Sequence, residues 1–495
     1  MSEAGGGGAG ALEPERVEEF VWRIPTGTVP GMRVPGVVFA SDDLMRRARE
    51  DRALEQVANV ATLPGIVTAS YAMPDIHWGY GFPIGGVAAT DVQAGGVVSP
   101  GGVGFDISCG VRLLRSDLTW EELRPRIRDL VTALGRRVPR GTGGRGRLPV
   151  SGHDLEGVLA EGVGYPISHG VGIEEDAELC EDRGVLDWAE PDLISARAQE
   201  RGGPQLGSLG AGNHFLEVQV VEEILDRAAA DAMRLSEGQV TVMLHSGSRG
   251  LGHQACTDHL KEVDKVGRGL GIEVPDRQLA CVPVDHDAGR RYLGAMAAAA
   301  NFARANRHVL AHAVREAFCE VLGGRAEGPR APFGMSLVYD VAHNLAKLEE
   351  YELDGRVRML CVHRKGATRA FGPGHAELPD RYREVGQPVI VPGSMGTASY
   401  VMVGTIEARG RSFSSTCHGA GRAMSRTRAK KIMSGNELVR ELEGRGVAMA
   451  ASRPALLAEE APYAYKDVSE VVRACEGAGL SRTVARLRPV GVVKG

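Results

Sequence analysis

Apolar positions along this chain follow two periods. Between residues 43 and 61, Leu44, Ala48, Leu54, Val57 and Val60 recur at helical spacing, which predicts a helix with one loosely apolar face. Helices are also predicted near 119–134, through the charged stretch 151–200, over 221–235 and over 293–322. The last is alanine-rich and closed by Gly323-Gly324. Other apolar runs are short and β-branched. Val240 to His245, Leu337 to Asn344 and Met359 to Gly366 read as strands, and residues 484–495 return to apolar alternation. Residues 73–86 hold too much Gly, Pro and aromatic residue for a helix and read as loop or short strands.

Polar residues at the ends of these runs carry the candidate chemistry. His214 lies in the glycine loop 209–218, His245 closes one strand, and His343 closes another. Strand ends that meet loops often carry sites. Upstream, Gly-Gly-Val-Gly-Phe-Asp-Ile-Ser-Cys-Gly-Val-Arg over 101–112 places Asp106 and Cys109 three apart in a glycine-rich bend. Asp106, Cys109, His214, His245 and His343 together make a ligand set for one or two divalent ions, and one thiolate can bridge two ions. Ligand softness alone would select zinc. Taken singly, Cys109 reads rather as a buried thiol in a tight turn, and each histidine as a satisfied core residue. His308 and His312, at i and i+4 on the long helix, lack the Glu of the zinc-protease pattern and are expected to be core or surface residues. Asp75 and His77 are expected to form a satisfied structural pair.

Composition narrows the class. The chain has 495 residues, 43% hydrophobic and 24% charged, with a net charge of −5. No apolar run approaches the length of a membrane helix, and no basic-then-apolar leader opens the chain. Its eight cysteines are scattered without a Cys-x-x-Cys pair, which points away from a disulfide framework and towards a reducing, cytoplasmic protein. Residues 1–14, rich in Gly and Ala, are expected to be a disordered tail, and 15–495 one integrated domain, because motifs spread from 75 to 494 without repeat or linker. Two basic runs, 136–147 and 422–431, lack acids and suit phosphate contacts or a solvated face. The Arg/Gly run 136–147 is expected to be a mobile loop. There is no P-loop, yet 392–399 and 418–422 are small-residue loops whose N–H groups can cradle phosphate. His418, flanked by glycine, is a candidate covalent nucleophile.

The ordered motifs GGVGFDISCGVR, LGAGNHFLEVQ, HSGSRGLGHQ, YDVAHNLAK, VHRKGATRAFGPG, PGSMGTASYV and HGAGR resemble those of the RtcB family of RNA-splicing ligases, over about residue 30 to Gly495. The resemblance implies a mixed α/β (α+β) fold, with a β-sheet core flanked by helices around a central metal cleft. It implies joining of RNA ending in a 2′,3′-cyclic phosphate or 3′-phosphate to RNA with a 5′-hydroxyl, using GTP and two manganese ions. By residue, Asp106, Cys109 and His214 match the ligands of one ion, and Cys109, His245 and His343 those of the other. His418 matches the histidine that becomes guanylylated. Nucleotide contacts match Asn213, His214, Phe215, Leu216, Glu217, His343, Asn344, Pro392, Gly393, Ser394, Met395, Ser399, His418, Gly419, Ala420, Gly421, Tyr465 and Lys494. Arg249, Arg364, Lys365, Arg369 and Arg422 are candidates for RNA phosphates. The partners implied are RNA, such as tRNA halves or broken RNA, and an archease-type activating protein; a monomer with no membrane attachment is expected. Two rival classes, a metal-dependent cyclic phosphoesterase and a non-catalytic RNA-binding protein, would not need His418 and Lys494 or the full ligand set.

Overall fold

The computed structural model describes residues 12–141, 143–325, 331–451 and 457–495. Most of the expected tail 1–14 lies outside the described residues. Two large sheets dominate. The first has seven strands in the spatial order Glu15–Glu18, Val21–Ile24, Gly36–Phe39, Ser70–His77, Ile84–Asp91, Arg356–Lys365, Asn344–Leu353. Its last two strands come from far along the chain, so no cut in the sequence separates N-terminal from C-terminal halves. They form a hairpin turned at Asp354-Gly355, both in the left-handed region (φ 52 and 73) as a tight two-residue turn requires.

The second sheet has eight strands. Seven run in the order Ser336–Ala342, Gly110–Thr119, Gln239–Ser246, Phe215–Ile224, Ser481–Lys494, Ser399–Gly404, Pro388–Val391, and Ala448–Ala451 pairs in parallel with Ser481–Lys494. Its register positions the site. Gly110 lies opposite Ser246 and Ala342, Phe215 opposite His245, and Lys494 opposite Phe215. Five chain segments therefore end or begin at one edge of the sheet, and each carries a candidate residue there. The mixed α/β class implied by the resemblance is what the chain adopts.

Behind this edge runs the helix Asp287–Leu322, 36 residues long and buried along most of its length. Alanine makes this possible, because small side chains let neighbouring elements approach. Three fully buried arginines on it are neutralised: Arg304 by Asp182, Arg307 by Asp340 at 2.7 Å, and Arg315 by Asp176 at 2.8 Å. His308 is buried among them, with its ring nitrogens on Arg112 and the Val171 carbonyl, a core role as expected. His312 faces Glu316 at 3.9 Å.

Several elements differ from the periodicity. The helix expected over 43–61 is two, Asp42–Glu50 and Ala53–Val60, broken where Arg52 turns left-handed (φ 64). The region read as helix 221–235 is strand as far as Ile224, and the helix is confined to Arg227–Met233, capped by Asp226. Pairing with Ser481–Lys494 outweighs the helix propensity of Glu222 and Glu223 there. The long helix starts at Asp287 rather than 293, capped by the His286 side chain, an unusual N-cap type. Residues 73–86 hold the end of one buried strand and the start of the next.

The basic run 136–147 is not a free loop. Arg136 and Arg137 lie on the helix Ile127–Arg137, where both pair with Glu320, and Arg147 pairs with Glu316. Gly141 and Gly146 donate backbone hydrogen bonds to Gly210 and Pro204. Its acids come from sequence far away, which a local reading of charge does not see. Among the described residues no helix is long and apolar enough to cross a membrane.

Candidate metal and nucleotide site

The bend 101–112 puts Cys109 where the strand register converges. Ser108 adopts φ 53, its N–H donates to the Asn344 carbonyl at 2.8 Å, and the His343 N–H donates to the Cys109 carbonyl at 2.9 Å. Gly247 is required opposite: a Cβ there would sit 2.4 Å from Asp106 Oδ1. Cys109 Sγ then lies 3.3 Å from both His214 Nε2 and His245 Nε2. His214 Nε2 is 2.9 Å from Asp106 Oδ2, and His245 Nε2 is 3.2 Å from His343 Nε2. Two triads result, Asp106–Cys109–His214 and Cys109–His245–His343, each with ligand atoms within 4.8 Å of one another, and Cys109 belongs to both.

The donor set fits divalent cations. Burial, with cationic neighbours, holds His245 and His343 well below the usual imidazole range, so both rings are neutral and keep a lone pair. Burial and the adjacent Asp106 push the Cys109 thiol up, the reverse of what a free thiolate needs; a bound cation would offset this. Arg307 braces the centre from behind, donating from Nη1 to the carbonyls of Ser108 at 2.7 Å and Ser246 at 3.1 Å, beside two of the ligands.

His418 stands next to this centre. Its ring centroid is 4.9 Å from that of His343. Its backbone N–H donates to Asp75 Oδ2 at 3.0 Å, and Nδ1 contacts the same oxygen at 2.5 Å in an off-axis ion-pair geometry. Chemistry at the ring therefore falls to Nε2. Asp75 is 0% exposed. Gly421, at φ 70, brings the His-Gly-Ala-Gly-Arg turn against it: a Cβ there would lie 2.2 Å from the Asp75 carbonyl. The expected Asp75–His77 pair is thus a different pair. His77 meets only the Asp75 backbone carbonyl, at 3.1 Å, while the carboxylate serves His418.

A cavity of about 220 Å³ is shared by His418 and four of the candidate metal ligands, Asp106, Cys109, His245 and His343. Asn213, Phe215, Glu217, His343 and Asn344 line it, as do Pro392 to Met395, His418 to Gly421, Tyr465 and Lys494. His214 sits behind as a candidate metal ligand, Leu216 packs in the core, and the Ser399 hydroxyl accepts from Gly393 N–H at 3.3 Å, shaping the loop from beneath. Glu217 is buried, takes one hydrogen bond from Gln219 at 2.9 Å, and is pushed up to about 7 by burial, which Gln219 and Lys494 only partly oppose. Burial lowers Lys494, whose Nζ lies 5.6 Å from the Phe215 ring centroid; Glu460 and Glu217 oppose that shift.

The chain as a whole matches a known family. A family model described as tRNA-splicing ligase RtcB matches residues 56–495. The chain belongs to the RtcB family. It is 53% identical over 481 residues to a protein named tRNA-splicing ligase RtcB from Archaeoglobus fulgidus, covering 97% of this chain and 98% of that one. It is 54% identical over 443 residues to the RNA-splicing ligase RtcB of Mycobacterium tuberculosis, covering 89% and 100%. The tRNA-splicing ligase RtcB of Nanoarchaeum equitans is 48% identical over 485 residues, covering 98% and 100%.

Within this RtcB-family chain, three of the basic residues proposed for RNA are buried in internal pairs. Arg364 bonds Glu349, Lys365 caps the carbonyls of Tyr80 and Phe82, and Arg369 sits among Glu181, Asp182 and Glu377. Arg249 and Arg422 remain half-buried beside the site. Glu460 escaped the sequence reading. It is 2% exposed and gathers the Tyr465 hydroxyl, Arg422 at 3.2 Å and Arg426 at 3.1 Å, fixing one cavity wall. Its only signal in sequence is an acid pair close to Tyr463-Ala464-Tyr465, which specifies nothing by itself.

Proposed function

We propose that this protein is an RNA ligase acting in tRNA splicing or RNA repair. It joins 2′,3′-cyclic phosphate or 3′-phosphate RNA ends to 5′-hydroxyl ends, with GTP as co-substrate and two manganese ions held by Asp106, Cys109, His214, His245 and His343. The observation that carries this reading is His418, fixed by Asp75 beside the His343 triad, in a cavity that also holds Glu217 and Lys494.

His418 Nε2 attacks the α-phosphorus of GTP, a P–N bond forms, and the bond to pyrophosphate breaks. Asp75, on Nδ1, stabilises the positive charge that the ring acquires and keeps it oriented. Water opens a cyclic phosphate to a 3′-phosphate, whose oxygen then takes GMP from His418 and restores the imidazole. The 5′-hydroxyl attacks the activated 3′-phosphorus, GMP leaves, and a phosphodiester remains. When bound, the cations would stabilise charge growing on phosphate oxygens. Glu217 as a carboxylate accepts hydrogen bonds from guanine N1–H and N2–H₂, which adenine does not present, so it selects GTP over ATP. Tyr465, held by Glu460, offers its ring to the base.

The test is transfer of label from α-labelled GTP to protein with Mn²⁺. Wild type should accept label and join paired RNA ends, and His418→Ala should do neither. Labelling retained in His418→Ala would remove His418 from the reaction.

A further inference from the structure

The reaction above leaves one buried cation unused. Tyr465 lines the nucleotide cavity, and the next residue, Lys466, is buried away from it at 6% exposure. Lys466 Nζ donates to the carbonyls of Ile76 and Pro74, the latter at 3.3 Å. These two carbonyls flank Asp75. They need a donor, because residues 73–76 leave both strand ladders. Pairing with Gly36–Phe39 stops at Ala72, and pairing with Ile84–Asp91 jumps from Ala72 to His77. Such an irregularity re-aims a side chain, and here it turns Asp75 onto His418. Lys466 also reaches the other half of that contact. Its backbone N–H donates to the Gly421 carbonyl at 3.0 Å, and Ala423 N–H donates to the Ala464 carbonyl at 2.8 Å. One residue thus joins the Asp75 strand, the His418 turn and the Tyr465 wall.

Charge is the second observation. Asp75 is fully buried, its Oδ2 faces His418, and its Oδ1 has no hydrogen-bond donor among the described residues. Gly85 closes over Oδ1, where a Cβ would lie 2.9 Å away. A buried carboxylate without a cation is costly, and no guanidinium pairs with Asp75 as two do with Asp340. The Lys466 ammonium is the cation held beside it. Burial pushes that ammonium down to about 8, against the pull of Asp75, Asp51 and Glu470 and with the push of Arg47, so it is still charged at neutral pH.

We propose that Lys466 is a positioning residue for transfer of GMP to His418: its ammonium fixes the strand on either side of Asp75 and offsets the burial of the Asp75 charge. Asp75 then holds Nδ1 of His418 and leaves Nε2 for phosphorus. The inference rests on the ligase reading above.

The test is the rate of label transfer from α-labelled GTP to the full chain, at saturating GTP and Mn²⁺. Lys466→Gln keeps a donor for the carbonyls and removes the charge. It should slow transfer about 10- to 100-fold, the range for partners that orient a working side chain, with half-saturating GTP little changed. Lys466→Arg keeps the charge and should recover most of that loss. In an Asp75→Asn background no carboxylate remains to be supported, so Lys466→Gln should cost less than about 2-fold more. A purely structural lysine would cost as much in both backgrounds. That result, a wild-type rate in Lys466→Gln, or no recovery in Lys466→Arg would overturn the proposal. Lys466→Met replaces Lys466→Gln if the latter does not melt cooperatively. Failure of both to fold would make Lys466 part of the frame and overturn the proposal equally. If wild type takes no label, the ligase reading itself has failed.

Discussion

Asp340 and Glu217 are both buried carboxylates on strands of one sheet, at 1% and 2% exposure, yet they are surrounded differently. Asp340 accepts from Arg112 at 2.7 Å and from Arg307 at 2.7 and 2.9 Å. Burial alone would raise its carboxyl, but the two guanidiniums outweigh it and hold it well below the usual range. Glu217 has one neutral donor, Gln219, and rises to about 7. A buried charge left poorly paired is costly. A fold keeps one where a ligand completes it, so the incompletely paired carboxylate marks the site and the fully paired one marks the frame.

Asp75 tests this contrast most strongly, because it is fully buried but its partner is His418, the ring proposed to react. Asp75→Asn keeps the shape and can still accept from the His418 N–H, but removes the charge on Nδ1. The initial rate of label transfer from GTP should fall about 100- to 10,000-fold, the range for removing charge support behind a reacting imidazole. The melting temperature should change little. A wild-type rate in Asp75→Asn would show that Asp75 belongs with Asp340, as frame.

This division was only half legible in the sequence. Asp106, Cys109, His214, His245 and His343 could be picked out because each sits at the end of an apolar run or in a glycine bend, and strand register then brings such ends together. Asp75 was visible but assigned the wrong partner, since His77 is two residues away and His418 is 343 residues away. Arg364, Lys365 and Arg369 looked like an RNA-facing run, because nothing local shows that Glu349, Glu181 and Asp182 fold back onto them. Helix limits failed where tertiary pairing overrode propensity, as over 215–224. Periodicity reports which face is apolar; it carries no record of which distant charge will meet it.

Arg307 and Lys494 extend the contrast to cations. Arg307 satisfies Asp340 and two backbone carbonyls beside the candidate metal ligands. Arg307→Met leaves those acceptors under-bonded, so unfolding free energy should drop by about 3–5 kcal/mol, as when one partner of a buried pair is removed. Metal binding followed by calorimetry on the folded fraction should weaken as well. Lys494→Met removes a cation whose burial is poorly compensated, so denaturant stability should hold or rise while nucleotide binding is lost. Equal destabilisation by both substitutions would erase the distinction between frame and site.

Glu217 gives the smallest and most diagnostic effect, through pH. In the unfolded chain its carboxyl titrates near the ordinary value of 4.5, and in the folded chain at about 7. Between these values the folded state holds a proton that the unfolded state has lost. Stability from this group is therefore present at low pH and drains away as pH rises towards 7, by at most about 3 kcal/mol. Glu217→Gln cannot ionise, so its unfolding free energy should lack that decline and exceed wild type at pH 8, with the two close at pH 4.5. GTP should oppose this decline in wild type, because guanine N–H groups favour the carboxylate and lower its folded pKa. Saturating GTP should then flatten the slope, and ATP should not. Identical pH slopes in wild type and Glu217→Gln would mean that Glu217 is already satisfied without a nucleotide, and the contrast with Asp340 would collapse.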